Sequence, residues 1–92
     1  MPHALVAANR PATLDQLALD QPARVHRVDV SAAAQPAERR QQLADIGLVN
    51  GESVAVVARA WPAGDPLVVR IGHSRFALRR AEAACVHVVA LE

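Results

Sequence analysis

Leu43-Ala44-Asp45-Ile46-Gly47-Leu48-Val49-Asn50-Gly51-Glu52-Ser53-Val54 is the stretch on which the fold turns. It begins as a helix end, with Leu43 and Ile46 spaced to share one face. Gly47 stops that helix, because glycine enters the left-handed region past a helix cap without a Cβ penalty. In such a cap Leu48 folds back against Leu43. Asn50-Gly51 is then a turn pair, and Val54, Val56 and Ala58 alternate along the strand that follows, one face inward. Helix, stop, turn and strand succeed one another with no linker between them.

Upstream, Pro36 suits the first helical position, where its missing N–H is not needed. The helix continues from Glu38 to Ile46, with Arg39, Arg40, Gln41 and Gln42 mostly outward. So short a helix is marginal alone and must be held by docking Leu43, Ile46 and Leu48. Before it, Pro22 to Val30 reads as the first strand. Val25, Val28 and Val30 do not keep a single alternation, which predicts a bulge near Arg27. Thr13 caps one short turn that tucks Leu14 and Leu17 onto the core. Residues 1–12, with Pro2 and Pro11 and no sustained period, read as a tail, so the domain spans 13–92.

Downstream the pattern is all β. Trp61-Pro62-Ala63-Gly64-Asp65-Pro66 is a turn cluster that no strand or helix could carry. Leu67, Val69 and Ile71 alternate, Gly72-His73 makes a tight hairpin, and Phe76 and Leu78 answer inward. Arg80 to Ala84 is a short helical turn, and Cys85 to Leu91 is the last strand. The prediction is a mainly β fold: a small, closed or nearly closed barrel with one short α-helix inserted after the first strand.

Composition bounds the rest. Ninety-two residues make one domain, and 52% hydrophobic with 21% charged residues is globular. Aromatics at 2% exclude a stacking platform for single-stranded nucleic acid. A net charge of +1 is far from the balance of a DNA-binding domain. One cysteine, Cys85, forms no internal disulfide, so nothing requires an oxidising compartment. No apolar run approaches the ~20 residues of a membrane span, and the N-terminal run is too short for a secretory signal. The chain reads as cytoplasmic.

The run from Leu43 to Gly51 resembles the helix-to-strand junction of the FeoA family of ferrous-iron transport proteins. Ala60-Trp61-Pro62-Ala63-Gly64-Asp65-Pro66-Leu67 is similar to that family's proline-glycine-aspartate-proline loop. Gly72, Phe76-Ala77-Leu78-Arg79, Ala83 and the final valine strand follow in the expected order, and Leu14, Leu17 and Ala23-Arg24-Val25 fit upstream. The resemblance covers residues 12 to 90. Asp20 departs from it, standing where the family usually has a glycine turn, and Asn50 stands where proline is frequent. Ala44-Asp45-Ile46 also lacks the methionine common in that helix end. The resemblance implies an SH3-like β-barrel in the cytoplasm with an accessory or regulatory role. It also implies a partner, a membrane ferrous iron transporter that carries a GTPase domain. A related barrel ends some metal-dependent repressors, which keeps a metal-sensing alternative open.

The residues themselves carry little chemistry. No serine lies in a nucleophile elbow, and a chain without lysine has no phosphate loop, so it is expected to be neither a GTPase nor another enzyme. Cys85 and His87, two apart on a strand, share a face and are the metal-ligand candidates for iron or zinc. Two ligands fall short of the three or four of a stable site, so any binding should be weak and no cofactor is required. A second chain in a homo-oligomer would have to complete such a site. His3, His26 and His73 are scattered. Arg39-Arg40 and Arg79-Arg80 sit beside Glu38, Asp45 and Glu82, which describes a mixed solvated face more than a nucleic-acid patch. A protein-interaction module is left. Its partner-binding candidates are Trp61, with Pro62 and Asp65 in the same rigid loop, and then the helix face around Arg39. Trp61 has a second reading, as the cover over one end of an aromatic-poor core.

Overall fold

A computed structural model describes residues 10–91. Among these residues six antiparallel strands form one sheet: β1 (Arg10–Thr13), β2 (Ala23–Val28), β3 (Ser53–Arg59), β4 (Leu67–Ile71), β5 (Ser74–Leu78) and β6 (Val86–Ala90). Their order is β1-β6-β2-β3-β4-β5, coiled into a small SH3-like barrel whose two outer strands are β1 and β5. Helix α1 spans Pro36–Asp45 and the one-turn helix α2 spans Arg80–Ala83. Leu14–Gln16 forms a single 3-10 turn.

The helix-to-strand junction forms as the sequence requires. Gly47 has φ +101°, and its N–H donates to the Ala44 carbonyl at 3.0 Å. The Leu48 N–H reaches the Leu43 carbonyl at 3.0 Å, and both leucines are buried. This pair of bonds satisfies carbonyls that the helix end would leave bare and aims the chain back at the sheet. Gly51, at φ +92°, closes the next turn, with the Glu52 N–H on the Val49 carbonyl at 3.0 Å.

Valines of alternate register line the interior. Val25, Val56, Val69, Val86 and Val88 pack with Leu14, Leu43, Leu48, Leu67 and Leu78, and no polar side chain is buried among the described residues. The register between β2 and β6 shifts between Val25 and Arg27, the bulge that the valine spacing predicts.

Three expectations need correction. The domain does not start at residue 13: Arg10–Thr13 is a strand paired with β6, and the rest of the predicted tail, residues 1–9, lies outside the described residues. An edge strand has a ladder on one side only, so Pro11 is tolerated there without an N–H. The main helix consequently follows the second strand. Ala58 faces outward, because the β3–β4 register shifts between Val56 and Ala58 and turns the rest of the strand over.

Asp20 has φ +61°, the only positive φ outside glycine among the described residues, while its N–H donates to the Val56 carbonyl at 2.7 Å. Here the chain departs from the glycine of the FeoA pattern but keeps the backbone that glycine favours. Left-handed backbone costs an aspartate more than a glycine, partly offset by the greater freedom of an unfolded glycine. Asp20→Gly should therefore raise stability by about 0.5 kcal/mol, measured as a higher urea midpoint at an unchanged slope.

Candidate partner-binding loop and the adjoining cleft

The segment between β3 and β4 is pinned from both sides. Its base is closed by the Ala60 N–H on the Pro66 carbonyl at 2.9 Å and the Gly64 N–H on the Ala60 carbonyl at 2.6 Å. Arg80, at the start of α2, holds the loop twice: its guanidinium donates to the Ala63 carbonyl at 2.7 Å, and its backbone N–H to Asp65 Oδ1 at 2.9 Å. Asp65 is thus a brace that ties the loop to α2. The loop lifts Trp61 into solvent, 91% exposed, with Pro62 exposed beside it. That exposure excludes Trp61 as a cover for the core.

The other strand end of the loop is fixed by Arg59. Its guanidinium donates to the carbonyls of Asp15 at 2.6 Å and Leu17 at 3.0 Å, clamping the 3-10 turn against β3. The Asp15 carbonyl lies within the 3-10 turn and that of Leu17 just past it, neither in a strand ladder, so a long cation from the neighbouring strand satisfies them.

Arg39 does not stand on a free helix face. It is half-buried, and its Nη1 lies 3.7 Å from Cys85 Sγ, across a cleft of about 470 Å³ between α1, α2 and the ends of β2 and β6. Cys85, buried, and His87, half-buried, line the same cleft as Asp29. The Cys85 thiol also reaches the Ala81 carbonyl at 3.5 Å. Asp29 is committed locally: its carboxylate accepts the Ser31 N–H at 3.0 Å and pairs with Arg27 at 3.5 Å. The Ser31 hydrogen bonds, with the Arg27 guanidinium second, hold that carboxyl below the ordinary aspartate value of 3.8. Among the described residues no three His, Cys, Asp or Glu side chains converge as a metal-ligand group. The structure therefore brings Arg39, Cys85 and His87 together in one cleft, and keeps Trp61, Pro62 and Asp65 outside it, on a loop tied to α2 through Arg80.

Sequence reasoning reads Asp29 as a turn acid and Arg80 as half of a basic pair on a solvated face, and does not single out Arg59. Asp29-Val30-Ser31 has the side-chain-to-backbone spacing of an Asx turn, a legible signal. The two arginine clamps depend on tertiary placement and leave no local pattern.

Fold and site together define a class: a small SH3-like barrel whose distinctive surface is a braced, tryptophan-bearing loop. The model of the FeoA domain matches residues 12–90, and the chain belongs to the FeoA family. It is similar to the FeoA of Stenotrophomonas maltophilia solved with zinc, at 39% identity and TM-score 0.72, over 84% of this chain and 88% of that one. That protein is described as a prokaryotic SH3 domain protein. The FeoA protein of Chlorobium tepidum matches at 37% identity and TM-score 0.72, over 88% of this chain and 71% of that one. A manganese-dependent transcriptional repressor shares the fold alone, at 23% identity and TM-score 0.74, over 90% of this chain and 43% of that one. No curated protein matches the chain. Among the described residues no helix is long and apolar enough to cross a membrane.

Proposed function

We propose that this protein is a non-catalytic accessory module of ferrous iron uptake that docks on the cytoplasmic part of a GTPase-coupled iron transporter. Membership of the FeoA family and the likeness to FeoA structures support the role in ferrous iron transport. The observation that carries the docking surface is Trp61, 91% exposed on a loop braced by Arg80. A rigid loop presenting a large amphipathic side chain is the arrangement that dominates interface energetics, because little entropy is lost when it docks. The protein works in the cytoplasm and needs no resident cofactor in this reading. Cys85 and His87 supply at most two donors from one chain, with the Arg39 guanidinium beside the sulfur opposing a second cation.

Trp61→Ala tests the surface. Truncating an exposed side chain removes almost no core contact, so the melting temperature should move by less than ~2 °C. Binding to the transporter's cytoplasmic domain, measured by titration calorimetry, should weaken by about 2 kcal/mol or more. Unchanged binding at unchanged stability would remove the loop from the interface.

A further inference from the structure

Among the described residues the outer strand β5 pairs only with β4, in the register Val68↔Ala77, Arg70↔Arg75, Ile71↔Ser74. The two-residue turn makes Ile71 and Ser74 a hydrogen-bonded pair, and in an antiparallel ladder such pairs alternate. Arg75 and Ala77 are therefore the residues whose N–H and C=O groups point away from β4. None of these groups has a partner among the described residues, and both side chains are exposed. The other outward face carries a second anomaly. Arg70 and Arg75 stand directly opposite one another, an arrangement of like charges that destabilises a sheet. Arg27–Asp29 is the only ion pair among the described residues, so neither arginine has a carboxylate against it. On the inner face Phe76 is only half-buried, because among the described residues no strand lies beyond β5.

We propose that β5 is a strand-addition site for an acidic segment of a protein partner. The added strand would pair its backbone with Arg75 and Ala77. Acidic residues at alternate positions would neutralise the Arg70–Arg75 pair, and an apolar residue between them would finish covering Phe76. A second copy of this chain fits poorly. Pairing β5 with itself sets Arg75 near Arg75, and the other free edge, β1, offers Arg10 and a Pro11 without an N–H.

The test uses the full-length, nitrogen-15-labelled protein and end-capped hexapeptides. Glu-Val-Glu-Val-Glu-Val should slow amide hydrogen exchange at Arg75 and Ala77, saturating below about 1 mM. Lys-Val-Lys-Val-Lys-Val should bind at least roughly tenfold more weakly, and the double variant Arg70→Glu, Arg75→Glu should invert that preference. Equal response to both peptides, or binding that leaves these two amides unprotected, would overturn the proposal. So would an oligothymidylate that shifts Arg70 and Arg75 where the acidic peptide does not, since the arginines would then be reading phosphate.

Discussion

Gly47→Val should lower the stability of the domain by about 3 kcal/mol, combining backbone strain with a steric clash. At φ +101° a β-branched residue is held where its side chain meets its own backbone. A Cβ at this position would also lie 3.2 Å from Ile71 Cγ2, and Ile71 is itself packed in the core at the hairpin end of β4. The chain can relieve the strain only by giving up the bonds from Gly47 and Leu48 to α1, which would undock Leu48. For a small domain such a loss is a large share of a total of ~5–15 kcal/mol. Urea unfolding followed by circular dichroism measures it. Gly51→Val is the comparison: its φ is +92° but its Cβ meets nothing within 4 Å, so it should show the backbone cost without the clash. Equal losses from the two would mean that Ile71 yields freely.

Leu14→Ala should cost about 3–4 kcal/mol, a value taken from large-to-small changes in cores. Leu14 has no exposed surface although it lies on a 3-10 turn of three residues between two strands. The turn is held by the Arg59 clamp and by Thr13, whose hydroxyl donates to Asp15 Oδ1 at 2.5 Å. With the backbone fixed in this way, the walls cannot close over the space that three missing carbons leave. Leu19→Ala is the matching control, since Leu19 is 54% exposed and should change stability by less than about 0.5 kcal/mol. A small effect at Leu14 would show that the turn is an outer strap and not part of the core.

The parts of the fold legible in the sequence are those fixed by local stereochemistry. Gly47 and Gly51 marked the junction because positive φ is a property of a single residue, and the valine spacing in β2 betrayed its bulge. The bulge in β3 was hidden, since Val54-Ala55-Val56-Val57-Ala58 is apolar throughout and any register looks equally good. Strand β1 was hidden for the opposite reason: in Arg-Pro-Ala-Thr only Thr13 favours a strand, and the pairing with β6 makes it one. At the site, Trp61 and its prolines were visible as a rigid loop, but its exposure was not. Whether a lone tryptophan faces inward depends on how far the loop is lifted, which Arg80 decides from nineteen positions further along the chain. Arg39 read as solvent-facing from its neighbours on the helix, whereas docking of α1 turns it toward Cys85.

The neighbouring of β1 and β6 has a consequence for how such a barrel can travel between proteins. Arg10 lies opposite Ala90, so the first strand enters and the last one leaves at one corner of the sheet, about 5 Å apart. A host polypeptide could accept the whole unit as an insert, interrupted across no more than the gap that a short turn spans. Its own backbone would be scarcely displaced. Movement of the host would then reach the barrel through that one corner, while the β5 edge and the tryptophan loop stayed free to meet a third component.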